Sequence, residues 1–312
     1  MPSFAYEVKS ELVIASNYRS CCRAAQLNAM LKVGAEVNEA GNRIDFTSTN
    51  AAISRRVLSL VKRVYRDVKT EVAVIRDKKF RTTHRYVIRI FLSSQTQPLL
   101  KAMQSNKFPQ ESCCCNAYLR GLFLACGSVN RPESYYHLEI FTNSKTTAKF
   151  IEKNMRHMGF PVNSFQRKDK FVVYMKEFES ICDFLYIIKA EKAVERFEVA
   201  RNIKDVRANI NRIINCETAN LQKAIDAAQR QIKSIKTIYE MGLELDDDLK
   251  EVAEVRMQNP EATMKELAEK IFISLSSFKS KMNKIHLLAD PKGENKPNKR
   301  KRKRKKRKID ST

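Results

Sequence analysis

The reading turns on Leu119-Arg120-Gly121-Leu122-Phe123-Leu124-Ala125-Cys126-Gly127, an apolar run with the length and character of a buried helix. A second, less regular version lies about ninety residues upstream as Leu27-Asn28-Ala29-Met30-Leu31-Lys32-Val33-Gly34-Ala35. Gly121, Ala125 and Ala29 are small, and missing side chains let two helix axes approach at the short end of the usual ~8–10 Å separation.

What surrounds each run repeats too. The upstream helix leads to a hairpin around Ala40-Gly41-Asn42 and the strand Ile44-Asp45-Phe46-Thr47. A helix then carries Ile53, Val57, Leu60 and Val61 at helical spacing, before strands over 72–75 and 86–92 around a basic loop, Lys78-Lys79-Phe80-Arg81. The downstream helix is followed by a strand over 136–142, a helix over about 146–158 and a hairpin of 162–165 with 171–175 around Arg167-Lys168-Asp169-Lys170. A helix with Ile181, Phe184, Leu185 and Ile188 closes that copy. Each copy is predicted as α-β-β-α-β-β-α, giving an α+β fold with repeats over 1–105 and 106–200. The charged hairpin tips, Arg76, Lys78, Lys79, Arg81, Lys168 and Lys170, suit phosphate contact.

The two runs resemble the paired helices of the LAGLIDADG homing endonucleases. The resemblance implies that they pack along a pseudo-two-fold axis, with two saddle-shaped sheets laid on DNA. Those nucleases hold a divalent ion with an acidic residue near the end of each run, because Mg²⁺ takes hard oxygen ligands. Here the positions are Gly34 and Cys126. Glycine offers no ligand and a thiol is a poor one for Mg²⁺, so both are degenerate metal positions. Glu36 could stand in for the first, but no acid follows Cys126 before Glu133. The four His, at 84, 137, 157 and 286, form no H-E-x-x-H motif, and no G-x-S-x-G or P-loop pattern occurs. His137 reads as a strand residue. No catalytic residue, bound metal or cofactor is expected, and the chain is not expected to be an enzyme. A residual metal-dependent endonuclease is the alternative within that class.

From Phe197 the pattern becomes helical, and Leu221, Ala224, Ile225, Ala228, Ile232 and Ile235 form one apolar stripe up to a capping Gly242. This predicts a helical linker over 201–244 docked on its own core. An all-α helix-turn-helix domain is predicted over 245–288. Asp246-Asp247-Asp248 favours a helix N-terminus. Asn259-Pro260 stops that helix, and Thr263-Met264-Lys265-Glu266 is a capping box. The turn is Phe272-Ile273-Ser274-Leu275, with Phe272 near a place where glycine is common. The third helix buries Phe278, Met282 and Ile285. Thr263, Lys265, Ser274, Ser276, Ser277, Lys279, Ser280, Lys281 and Lys284 are the candidate DNA-binding residues.

Composition agrees with a polyanionic partner. The 312 residues hold 59 Lys and Arg against 35 Asp and Glu, a net +24, and such a field attracts nucleic acid. Residues 291–312 concentrate twelve of the basic residues against Glu294 and Asp310. This tail, 289–312, reads as disordered. Its Lys299, Arg300, Lys301, Arg302, Lys303, Arg304, Lys305, Lys306, Arg307 and Lys308 are expected to make sequence-independent phosphate contacts. Charge alone equally permits an RNA- or ribosome-associated protein.

Ser3-Phe4-Ala5-Tyr6-Glu7-Val8-Lys9-Ser10-Glu11-Leu12, Cys21-Cys22-Arg23-Ala24, Tyr118-Leu119-Arg120-Gly121, Tyr136-His137-Leu138-Glu139-Ile140 and Asn211-Arg212-Ile213-Ile214-Asn215-Cys216-Glu217-Thr218-Ala219-Asn220 resemble blocks of the WhiA family. The similarity spans about 3–288. It implies a regulator of transcription, cell division and chromosome segregation that binds double-stranded DNA and works with other regulatory proteins. The presumed reading helix, Ser274-Leu275-Ser276-Ser277-Phe278-Lys279-Ser280-Lys281-Met282-Asn283-Lys284, departs from the family's Arg-containing pattern. The family's operator therefore does not carry over, since Lys and Ser do not reproduce an Arg fork on guanine.

Glu7, Lys9 and Glu11 interrupt any leader-like apolar stretch, and no run is long enough to span a bilayer, so a cytoplasmic, nucleoid-associated protein with no membrane partner is expected. Eight cysteines, at 21, 22, 113, 114, 115, 126, 182 and 216, show neither C-x-x-C spacing nor a small-domain disulfide framework. Cys21 and Cys126 are expected to be buried rather than reactive.

Overall fold

The structure is a computed structural model that describes residues 3–15, 19–40, 42–76, 84–94 and 96–290. Lys78, Lys79, Arg81 and all ten of the basic tail residues 299–308 lie outside them. The chain divides into two compact units, 1–206 and 207–312.

The first unit opens with α1 (Phe4–Ile14). The upstream repeat follows as α2 (Ser20–Gly34), β1 (Ala35–Asn38), β2 (Arg43–Ser48), α3 (Ala51–Val64), β3 (Thr70–Arg76), β4 (His84–Phe91) and α4 (Gln97–Gln104). The downstream repeat is α5 (Ser112–Cys126), β5 (Gly127–Val129), β6 (Leu138–Thr142), α6 (Lys145–His157), β7 (Asn163–Arg167), β8 (Lys170–Met175) and α7 (Phe178–Ile187). Both sheets are antiparallel, ordered β1-β2-β4-β3 and β5-β6-β8-β7, so the duplication extends to strand pairing. Capping residues set the starts of the middle helices. Asn50 accepts from the backbone N–H groups of Ala52 and Ile53 ahead of α3, and Ser144 accepts from Thr147 ahead of α6.

The α2 and α5 helices pack directly against each other. A Cβ at Gly121 would lie 2.5 Å from the backbone oxygen of Gln26 and 2.8 Å from Cβ of Ala29. The small residues therefore meet across the seam, and a backbone carbonyl, not a flexible side chain, occupies the space. Gln26 itself is fully buried beside Leu27, Met30, Leu31, Leu119, Leu122 and Phe123.

Sequence alone assigns α1 no role, yet Phe4, Val8 and Leu12 repeat at four-residue spacing and are buried in the core. Ser3 caps α1 by accepting from Tyr6 N. On its outer side Glu7 pairs with Arg196, and Glu11 Oε1 accepts from the backbone N–H of Lys192 at 2.9 Å.

The long helix α8 (Glu191–Glu240) supplies Ala193 and Phe197 to the core of the first unit. In the second unit its later turns, through Ile235 and Ile238, pack with α9 (Asp247–Gln258), α10 (Met264–Lys270) and α11 (Leu275–Ala289). The predicted apolar stripe is only partly docked: Ala228 and Ile235 are buried, but Leu221 is 63% and Ile225 40% exposed. Gly242, at φ +69°, ends the helix as expected, with Leu243 N reaching back to Ile238 O at 3.3 Å. Among the described residues no helix is long and apolar enough to cross a membrane.

Replacing Gly121 by alanine forces the two helices apart at a backbone contact and is expected to destabilise the first unit by about 2–3 kcal/mol, the upper part of the overpacking range. Urea unfolding followed by circular dichroism measures it; a change within experimental error would show that the seam yields.

Candidate nucleic-acid interface

In the second unit, α9 begins with Asp247 and Asp248 in its first turn and ends at Gln258, with Asn259 at the cap position. The loop to α10 is held from inside. Arg256 is 1% exposed and donates from Nη1 to Ala262 O at 2.7 Å, and burial lowers its pKa. Thr263 and Glu266 form the predicted capping box: Thr263 N donates to Glu266 Oε2 at 2.7 Å and Glu266 N donates to Thr263 Oγ1 at 3.3 Å. That geometry holds the Glu266 carboxyl below the usual carboxylate range, with the backbone N–H of Thr263 as the main cause.

The turn between α10 and α11 contains Phe272 at φ +55°, with 96% of its surface exposed. Ile273 N bonds back to Ala268 O at 3.0 Å, closing α10 as glycine usually does at this place. The fold therefore demands the left-handed conformation and the chain meets it with a phenylalanine. Left-handed backbone costs a side-chain-bearing residue roughly 1–2 kcal/mol. Ser274 then caps α11, accepting from Ser277 N at 3.1 Å.

One side of α11 is fixed by Phe278, Met282 and Ile285, all buried as expected. Ser276, Lys279, Ser280, Asn283 and Lys284 are exposed. Asn283 is not among the candidates that the sequence singles out, although it lies one turn beyond Lys279 and Ser280, and an asparagine can bond adenine through two hydrogen bonds. Lys281, a candidate by sequence, is instead paired within the protein. Its side chain is 19% exposed and its Nζ lies 3.3 Å from Asp248 Oδ2, which ties α11 to the first turn of α9. The oxygens of Thr263 and Ser274 act as caps. Ser277 is half-buried, and Lys265 is exposed 3.9 Å from Glu269.

In the first unit, Arg76, Lys168 and Lys170 are exposed at hairpin ends, Lys168 at φ +54°. Gly34 and Cys126 occupy the C-terminal ends of α2 and α5. A Cβ at Gly34 would sit 2.6 Å from the Phe46 ring. Cys126 Sγ donates to Val33 O at 3.3 Å, and burial raises its pKa. Lys9 lies close enough to Cys126 for each to feel the other's charge, and burial lowers its pKa. Glu36 is exposed on β1 and belongs to no group of three or more candidate metal ligands among the described residues. Cys126 is half-buried, whereas Cys21 is exposed, against expectation, because it falls on the solvent side of the first turn of α2.

His286, on α11, meets Ser234 Oγ through Nδ1 at 2.7 Å. Burial, and then Arg230, lower its pKa from 6.5. The unfolded chain therefore binds this proton more readily than the folded one. The stability involved is fully present above about pH 6.5 and is lost as pH falls below it. Thermal unfolding of the second unit is expected to show this loss, and His286→Asn to reduce it; an unchanged pH profile in the variant would assign the effect elsewhere. Phe272→Gly is expected to stabilise the same unit by up to about 1 kcal/mol, because relief of the left-handed strain outweighs glycine's backbone entropy. A lower melting temperature would contradict the strain.

Comparison with known families and structures agrees along the chain. Residues 20–104 match the WhiA N-terminal LAGLIDADG-like domain, 115–207 the WhiA LAGLIDADG-like domain, and 210–289 the WhiA C-terminal HTH domain. A relative from Oceanobacillus iheyensis, named probable cell division protein WhiA, is 39% identical over 308 residues, covering 92% of this chain and 97% of its own. One of the same name from Bacillus thuringiensis is 38% identical over 312 residues, covering 93% and 96%. The crystal structure of full-length DUF199/WhiA from Thermatoga maritima aligns with a TM-score of 0.61 at 26% identity, covering 93% of this chain and 99% of that one.

Proposed function

The chain belongs to the WhiA family, and on that premise we propose that it binds double-stranded DNA as a regulator of transcription, cell division and chromosome segregation, without cleaving it. The observation that carries the reading is the exposed row Ser276, Lys279, Ser280, Asn283 and Lys284 on α11, a helix whose opposite side is anchored by Phe278, Met282 and Ile285. A helix held from behind with donors in front is what major-groove reading needs. Lys279, Ser280 and Asn283 would contact base edges. Thr263 and Ser274, whose side-chain oxygens cap α10 and α11, would offer their hydroxyl protons to phosphate. Lys265 and Lys284 would take phosphates, as would Lys299–Lys308 of the tail. The name of the relatives supports the cell-division role, and other regulatory proteins are the partners proposed for the first unit.

Two features speak against cleavage. Phe46 occupies the space that a side chain at position 34 would enter, and the half-buried lysine Lys9 neighbours Cys126. A positive charge there opposes a divalent cation. Supercoiled plasmid is expected to stay intact with Mg²⁺ or Mn²⁺, and nicking by the pure protein would overturn the reading.

Lys279→Ala combined with Asn283→Ala is expected to change sequence preference, removal of each base-reading side chain costing about 1–3 kcal/mol of discrimination. Lys281→Ala should affect it much less. Deleting 299–308 is expected to weaken binding on every sequence and to flatten the salt dependence by about 0.9 in log–log slope for each phosphate no longer neutralised. Titrations of duplex DNA at several salt concentrations, with structured RNA as competitor, measure all three; an RNA preference would refute the duplex reading.

A further inference from the structure

Four cysteines that the sequence scatters as two adjacent pairs come together in the first unit. Cys21 and Cys22 are the second and third residues of α2, and Cys113 and Cys114 are the second and third residues of α5. The duplicated helices pack side by side, so equivalent positions meet, and the four Sγ atoms all lie within 4.8 Å of one another. Cys113 Sγ and Cys114 Sγ are 4.0 Å apart. We propose that these four thiolates bind one Zn²⁺ ion that clamps the N-terminal ends of α2 and α5.

The geometry suits a single ion. Zn–S bonds of about 2.3 Å place the sulfurs of a tetrahedral set about 3.8 Å apart, so a contraction of about half an ångström per sulfur from the widest observed spacing is enough. Soft thiolates in a four-sulfur set select Zn²⁺ over hard cations. The surroundings suit the charge that such a set carries. The cluster lies in the first turns of two helices, and neither Arg19 nor Glu111, the residues at the cap positions of α2 and α5, makes a side-chain capping bond. The positive ends of both helix dipoles therefore lie beside the sulfurs with no capping side chain to offset them. Arg19 Nη1 lies 3.8 Å from Cys113 Sγ and adds a positive charge. Cys115, although next in sequence, faces elsewhere and donates to Pro109 O at 3.1 Å. With all four positions filled by protein, the ion has no open site, which makes it structural and not catalytic.

Zinc-site spacing rules apply to cysteines separated by two residues within one segment. The signal outside those rules is that both adjacent pairs hold the same place in a duplicated helix. The test uses the full chain, purified without chelator under anaerobic conditions. Elemental analysis is expected to find one zinc per chain, and replacement by Co²⁺ to give the visible bands and thiolate charge-transfer absorption of a tetrahedral sulfur site. Cys21→Ser with Cys113→Ser should lose both signals, and Cys182→Ser with Cys216→Ser should keep them. The proposal is overturned if the wild-type chain takes up neither metal, if the first variant retains the cobalt spectrum, or if the four thiols are recovered as disulfides. The wild-type spectrum decides even if the first variant fails to fold.

Discussion

Backbone against missing side chain, at Gly121 and the carbonyl oxygen of Gln26, is the contact on which the first unit rests. It sets how closely α2 and α5 approach, and everything in the two repeats is built outward from that pair. At their C-terminal ends the helices run directly into β1 and β5, so each sheet takes its position from the seam. At their N-terminal ends the same closeness gathers cysteines that are ninety residues apart in sequence. A looser seam would dissolve both consequences together, because side chains at equivalent positions meet only if the axes are near.

The second unit obtains precision by other means. Among its described residues no glycine lies within α9, α10 or α11; the three helices share an apolar core around Leu267, Phe278 and Met282, and polar groups set their ends. Arg256 holds the α9–α10 loop by its carbonyls, Thr263 and Glu266 close the start of α10, and Ser274 starts α11. Lys281, which composition alone would assign to the ligand, belongs to this internal framework through Asp248. The exposed row on α11 is correspondingly narrow: its chemistry lies in Lys279, Ser280 and Asn283, with Ser276 and Lys284 at its ends.

Much of this is legible in the residues. The repeat order αββαββα, the capping box, the glycine that ends α8 and the buried trio Phe278, Met282 and Ile285 follow local rules of period and capping, and the structure has them. What escapes such rules depends on distant parts of the chain. The burial of α1 is visible as Phe4, Val8 and Leu12, but its purpose is set by α3 and α5. The stripe on α8 has one period and two fates, since Leu221 and Ile225 remain exposed where Ile235 is covered. Lys281 and Lys279 are indistinguishable by type and separated only by which neighbour the fold supplies. Phe272 runs against the local rule, and only the backbone shows that the turn keeps its left-handed shape regardless.

The ring of Phe46 beside Gly34 bears on how sequences with this fold can interconvert. A carboxylate at 34 meets the ring, and a smaller residue at 46 with glycine retained leaves a void in a core where Phe46 is 1% exposed, a loss of about 3–5 kcal/mol for phenylalanine to alanine. Either change alone lowers stability, and only both together restore a ligand position. Chains of this kind are thus held at glycine in position 34 by a barrier in sequence space that single substitutions do not cross, and the aromatic ring and the glycine can change only as a pair.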